Sequence, residues 1–164
     1  MAAASTPAIK ALVQAKVDHR VHAYEHDPRS DSYGAEAVSA LAAELGIEAD
    51  QIFKTLVIEL GSGALAVAVL PVPTKLSLKA AAAALGEGKA AMADKTKAER
   101  TTGYVVGGVS PLGQKKTLPT VIDETALLWD RVLCSAGKRG LEIELRPEDL
   151  IGLTGAVTAD VAVS

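Results

Sequence analysis

The spacing of apolar residues changes period many times along the chain, and each change predicts an element boundary. Thr6-Pro7 offers an N-cap hydroxyl and then proline at the first helical position, and Ile9, Leu12 and Val13 continue at helical spacing. Arg20 to Glu25 alternates as a strand does, with Val21 and Ala23 on one face and His22 and Tyr24 on the other. After the polar stretch Asp27 to Ser32, a helix is expected over Ala35 to Leu45, stopped by Gly46. Gln51 to Leu60 and Ala64 to Leu70 read as two strands about the turn Gly61-Ser62-Gly63, and Pro71 and Pro73 end the second. Alanine-rich Leu78 to Leu85 predicts a helix closed by Gly86, Lys89 to Met92 a short strand, and Asp94 the cap of a helix reaching Arg100. Tyr104 to Val106, Thr120 to Asp123 and Arg131 to Ser135 have strand character. Leu141 to Leu145 alternates apolar and acidic residues and is expected to be half exposed, Pro147 to Leu153 to be helical, and Ala156 to Val163 to form a weak last element.

Strands and helices mix without strict β-α-β alternation, which predicts a mixed α/β fold: a mixed sheet with flanking helices. The 164 residues suit a single domain, residues 1–164, with most of its surface buried on folding. Hydrophobic residues make up 49% and aromatics only 3%, so the core is aliphatic and a base-stacking platform of several aromatics is excluded. A formal charge of −3 argues against a broad basic field for nucleic acid, while leaving room for a small basic patch at one nucleic-acid end. The lone cysteine, Cys134, cannot form an intrachain disulfide. No signal peptide and no membrane-spanning apolar run is read, and a cytoplasmic location is the expectation.

Candidate chemistry concentrates in Thr102 to Lys116 and at Lys54. The first stretch places Gly107, Gly108 and Gly113 with Pro111 directly after Tyr104-Val105-Val106 and ahead of Lys115-Lys116. Glycine permits close backbone approach, so the loop is either a tight turn between strands or a main-chain clamp on a small substrate. It does not match Gly-x4-Gly-Lys-Ser/Thr, so a nucleotide P-loop is excluded. Lys54 lies in an apolar strand, on the face of Leu56 and Ile58, where burying an ammonium is costly. It either reaches to water from the strand end or sits in a cleft, binding a phosphate or carbonyl oxygen. The Lys115-Lys116 and Lys138-Arg139 pairs are solvated turns or phosphate grips. His19, His22 and His26 are too far apart on an extended strand to share one ion, so no metal is assigned. Cys134 reads as a core residue, because a cysteine nucleophile needs an oriented histidine and none is indicated.

Several segments carry a resemblance across nearly the whole chain, in order. They are Thr6-Pro7-Ala8, His22-Ala23-Tyr24-Glu25-His26-Asp27-Pro28, Phe53-Lys54-Thr55-Leu56, Met92-Ala93-Asp94, Thr102-Gly103-Tyr104, Gly107 to Lys116 and Gly137-Lys138-Arg139-Gly140. These resemble the YbaK/EbsC proteins, bacterial Cys-tRNA(Pro) deacylases related to the editing insertion of prolyl-tRNA synthetase. The resemblance implies a mixed sheet or irregular barrel with helices around it. It also implies removal of cysteine from Cys-tRNA(Pro), with Cys-tRNA(Cys) as a further substrate, in association with prolyl-tRNA synthetase and without a cofactor. It puts the essential lysine on Lys54, the backbone loop on Gly107, Gly108, Val109, Ser110 and Pro111, and pocket side chains on Tyr24, Ser135 and Glu142. Glu142 stands where aspartate is expected, and Ala136 where glycine is usual. In this family the substrate's own thiol is the nucleophile, which agrees with the lack of a nucleophile–base pair in the sequence. The competing expectations are an Ala-tRNA(Pro) deacylase that uses water, and a non-catalytic module for a tRNA end or a nucleotide.

Overall fold

The computed structural model describes residues 5–164. Among the described residues two main sheets, a separate two-stranded sheet and five α-helices make a mixed α/β fold, and the hydrogen bonding does not close into a barrel. Helix α1 (Pro7–Gln14) starts as its sequence predicts, with the Thr6 hydroxyl accepting from the Ile9 N–H at 3.1 Å. The same hydroxyl donates to the Ala136 carbonyl at 2.5 Å, which ties the helix to a distant strand. Strand β1 (His19–Ala23) is followed by α2 (Tyr33–Leu45), which begins two residues before the expected start and ends at Gly46 in the left-handed region. A short 3-10 turn then leads to β2 (Phe53–Leu60) and β3 (Leu65–Pro71), an antiparallel hairpin with Lys54 opposite Leu70.

The chain continues through β4 (Lys75–Leu76), α3 (Leu78–Ala84), β5 (Ala90–Met92) and α4 (Lys95–Thr102). Asp94 caps α4 by accepting from Lys97 N–H at 3.0 Å. Strand β6 (Thr120–Asp123) precedes β7 (Val132–Lys138), β8 (Leu141–Leu145), α5 (Pro147–Thr154), β9 (Val157–Ala159) and β10 (Ala162–Val163). The larger sheet has the order β5-β2-β3-β6-β9 and mixes antiparallel with parallel pairs. The smaller, β1-β8-β7, is antiparallel, and a single bridge from Ile52 to Leu133 joins the start of β2 to β7. An aliphatic core of Val67, Val69, Ile122, Val132, Ile143 and Leu145 fills the space between the sheets.

Two expectations fail. Tyr104 to Val106 is a loop after α4, not a strand: Tyr104 turns into the core and its hydroxyl donates to the Leu112 carbonyl at 2.7 Å. Within the segment, Tyr104 N–H donates to the Thr102 hydroxyl at 3.2 Å and Val106 N–H to Glu99 Oε2 at 2.8 Å, so both go to side chains of α4 instead of a neighbouring strand. Leu141–Leu145 is buried throughout rather than half exposed. β8 is paired along both edges as the central strand of its sheet, and all five of its residues are buried, so the alternating acids are sheltered rather than solvated. Glu144 is held by His22 Nε2 at 2.8 Å, and Glu142 faces a cavity.

Asp123, at the end of β6, is fully buried and closes the fold around the C-terminal strands. Its Oδ1 accepts from Val161 N–H at 2.9 Å and Ala162 N–H at 3.0 Å, and its Oδ2 from Thr125 N–H at 3.3 Å and the Thr125 hydroxyl at 2.5 Å. Asp123→Ala strands these donors, and we expect a loss of about 3 kcal/mol in urea unfolding. An unchanged unfolding midpoint would contradict that role.

Candidate functional site

A cavity of about 360 Å³ opens where α2, β2, the start of α4 and the two-strand corner of β7 and β8 converge. Its walls include Tyr24 after β1, Tyr33, Gly34 and Ala37 on α2, Phe53 to Val57 on β2, Met92, Ala93 and Lys95 at the β5–α4 junction, and Ser135 and Glu142 across the small sheet. Val106, Gly107 and Val109 of the glycine loop complete it. The fold therefore brings Lys54, Gly107, Val109, Tyr24, Ser135 and Glu142 to one space, although they come from five separate stretches of chain. Gly108, Ser110, Pro111, Lys115, Lys138 and Arg139 do not line it.

Lys54 reaches the cavity because β2 pairs with β3 and leaves the segment after β3 beside it. Its ammonium donates to the Thr74 carbonyl at 2.5 Å and to the Val72 carbonyl at 3.3 Å. An ammonium carries three donors, so one N–H remains for a ligand. Burial lowers its pKa from the usual lysine value. Of the two sequence readings, the cleft position is the one found, with the ammonium turned to backbone carbonyls rather than to open water.

The loop is a turn as well as a wall. Gly108 N–H donates to the Val105 carbonyl at 2.8 Å. Gly107 takes φ of +86°, and a Cβ there would overlap the Tyr33 ring, so no larger residue fits without displacement. Gly107 N–H donates to no protein group among the described residues. Ser110 and Pro111 lie beneath the loop, buried; the Ser110 hydroxyl accepts from Leu112 N–H at 3.2 Å. Lys115 and Lys138 are exposed. Arg139 turns back onto the loop, donating to the Val106 carbonyl through Nε at 2.9 Å and Nη2 at 2.6 Å.

Glu142 also lines the cavity; the residue is 6% exposed, and among the described residues no protein group donates to its carboxyl. Burial pushes its pKa up to about 8. Burial and then the Glu142 charge push the Tyr24 phenol up to about 12. Between the ordinary carboxylate pKa of about 4.3 and this raised value, the folded chain holds a proton that the unfolded chain has released. Stability therefore falls as pH rises from about 4.3 to about 8, and Glu142→Gln removes this slope. Urea unfolding across that interval checks it; a variant with the wild-type slope would place the proton elsewhere.

The remaining candidates do not supply a nucleophile. Cys134 is fully buried, and burial raises its thiol pKa well above the ordinary value. The three histidines go to three partners: His19 to the Val17 carbonyl, His22 to Glu144 and His26 to Glu36. None lines the cavity among the described residues.

Most of the wall was not named as site residues from the sequence, and four of the unnamed residues carry polar or flexible side chains. Tyr33 and Lys95 stand at helix starts, Thr55 is on β2 beside Lys54, and Met92 is the last residue of β5. The Thr55 hydroxyl is buried with no hydrogen-bond partner among the described residues. A lone aromatic just ahead of a predicted helix was the one available signal, and only for Tyr33.

Comparison with known proteins gives the family and the fold. A protein of Enterococcus faecalis, named provisionally as the Cys-tRNA(Pro)/Cys-tRNA(Cys) deacylase EbsC, is 41% identical over 95% of this chain and 92% of its own length. A crystal structure named, again provisionally, as a trans-editing enzyme for prolyl-tRNA synthetase superposes with a TM-score of 0.81 at 27% identity, covering 99% of this chain and 100% of that one. The crystal structure of hypothetical protein APE2540 gives a TM-score of 0.82 at 26% identity, covering 96% of this chain and all of that one. The family model described as the aminoacyl-tRNA editing domain matches residues 33–153. That span starts at the wall residue Tyr33, takes in Lys54 and the glycine loop and runs past Glu142, and the chain belongs to the aminoacyl-tRNA editing domain family.

Proposed function

We propose that this protein is an aminoacyl-tRNA deacylase that removes cysteine from mischarged Cys-tRNA(Pro), acting in trans. The observation that supports it most is a cavity with a cation, an unpaired backbone N–H and a buried carboxyl, but no nucleophile paired with a base among its described lining residues. Such a site can bind and orient an ester; the attacking atom must then come from the substrate. The bound cysteinyl thiol supplies it. Its sulfur bonds to the ester carbonyl carbon, the bond from that carbon to the ribose oxygen breaks, and the thiol proton ends on that oxygen. The products are a cyclic thiolactone and a free tRNA terminus.

The roles follow from placement. Lys54 and Gly107 N–H face the oxygens on which negative charge develops, where preorganised donors act most strongly. Glu142, Tyr24 and Ser135 receive the amino-acid end. A substrate ammonium beside Glu142 would draw its proton off and leave a charge pair. Specificity then lies in the side chain, because alanine and proline carry no thiol to cyclise, and holding the thiol near the carbonyl does the rest. No helix among the described residues is long and apolar enough to cross a membrane. The provisional name of the Enterococcus relative supports cysteine as the amino acid, with Cys-tRNA(Cys) as a second substrate, and the trans-editing neighbour supports prolyl-tRNA synthetase as the partner.

Purified protein incubated with labelled Cys-, Ala- and Ser-tRNA(Pro), with and without prolyl-tRNA synthetase, tests the reading. Release of cysteine alone, increased by the synthetase, is the expected result. Preferential release of alanine would establish a water-using Ala-tRNA(Pro) deacylase instead, and tight binding without release a non-catalytic module.

A further inference from the structure

We propose that Arg139, seated on Tyr33, is a positioning residue that aims the Gly107 N–H into the cavity, rather than a contact to substrate phosphate. This rests on the deacylase reading above.

The Val106–Gly107 peptide is held from both ends. Its preceding N–H, on Val106, donates to Glu99 Oε2 on α4 at 2.8 Å. Its carbonyl accepts the Arg139 fork, two N–H groups at 2.9 and 2.6 Å. The guanidinium lies 4.5 Å above the centre of the Tyr33 ring, and the same ring abuts Gly107. Tyr33 is backed in turn by the His26 ring at 5.9 Å, and His26 Nδ1 is fixed by Glu36 Oε1 at 2.6 Å. Glu36 Oε2 also accepts from Asp27 N–H at 2.9 Å, so the start of α2 and the segment before it form one support.

A trans peptide is planar, and its C=O and N–H point in opposite directions. Holding the Val106 oxygen therefore fixes the direction of Gly107 N–H. Arg139 lies outside the cavity, while Gly107 lines it and its N–H has no acceptor among the described residues. A cation bonded to the carbonyl also polarises the amide, which strengthens the N–H as a donor to a developing oxyanion. A phosphate grip would need the guanidinium edge free. Here the Nε and one Nη are committed to Val106, and one face is covered by Tyr33. Lysine can supply the charge but neither the fork nor the stacked plane.

The test compares Arg139→Ala and Arg139→Lys in the full chain. If Arg139 positions the peptide, both lower kcat by about 10- to 100-fold, because misplaced donors fail in the transition state. KM for Cys-tRNA(Pro), and its dependence on salt, stay as in the wild type. The Gly107 and Gly108 amide resonances shift in both variants, in spectra that need no turnover. A raised KM with unchanged kcat, a shallower salt dependence and recovery by Arg139→Lys would instead make Arg139 a phosphate contact and overturn the proposal. So would Gly107 and Gly108 resonances that keep their wild-type positions. Should Arg139→Ala fold poorly, Arg139→Lys carries the same comparison. Wild-type protein that releases no amino acid from any tested tRNA sinks the deacylase reading alone, and the resonances still decide whether Arg139 holds the loop.

Discussion

Lys54→Ala loses at least about 10²-fold in kcat on Cys-tRNA(Pro), the scale seen when a preorganised donor to a developing oxyanion is removed. The variant should stay folded. The ammonium points into the cavity, and the segment it touches has independent ties: Val72 N–H to the Ile52 carbonyl at 2.9 Å and the Thr74 hydroxyl to the Pro71 carbonyl at 2.7 Å. Water entering the opened cavity can serve the Val72 and Thr74 carbonyls that the lysine leaves. Arginine is not expected to rescue, because its longer planar head cannot occupy the space of a compact ammonium between two carbonyls. Burial lowers the lysine pKa, so the cation is lost as pH rises through that lowered value. The alkaline limb of the wild-type rate should therefore begin below the pH at which an exposed lysine titrates. Near-normal turnover by a folded Lys54→Ala protein would remove this residue from the mechanism.

How far this was legible in the sequence depends on whether the signal was local. The β2–β3 hairpin, the caps of α1 and α4 and the glycine stop of α2 are set by residues within a few positions of each other, and all are found where the pattern placed them. Lys54 was legible as an anomaly, a cation in an apolar strand with a cleft as one of two readings; what the residues alone could not do was choose between them, since its carbonyl partners are 18 and 20 residues away. The acidic alternation of β8 misled because it reports polarity, not exposure. Glu142 and Glu144 are sheltered by the cavity and by His22, contacts that only the register of β1 against β8 creates. Arg139 shows the same limit. Flanked by glycine and next to Lys138 it reads as a solvated basic turn or a phosphate grip, yet its guanidinium is turned onto a carbonyl 33 residues earlier in the chain. Of the residues that the resemblance named, Tyr24, Lys54, Gly107, Val109, Ser135 and Glu142 line the cavity and Gly108, Ser110 and Pro111 do not, a distinction only the fold makes.

Gly107→Ala should be as damaging to activity as the loss of Lys54, for a reason that lies in backbone rather than charge. Two penalties coincide at this glycine. Its φ of +86° is a conformation that costs an L-residue roughly 1–2 kcal/mol. Its Cβ would also overlap the Tyr33 ring, which is held between Arg139 and His26 and has nowhere simple to go. The loop must yield, and the N–H it presents moves with it; a displacement of about 1 Å is worth about 10²-fold in rate. Gly63 provides the control, with φ of +91° and nothing within 4 Å of an added Cβ. Gly63→Ala carries the strain without the collision and should lose some stability but no activity. Tyr33→Ala gives the second half of a double-mutant cycle. If the ring is what expels the loop, Gly107→Ala costs less in the Tyr33→Ala background than in the wild type, a coupling that backbone strain alone cannot produce. Additive effects of the two substitutions, or a Gly107→Ala protein that deacylates at the wild-type rate, would mean that activity does not depend on the Gly107 N–H being held where the Tyr33 contact places it.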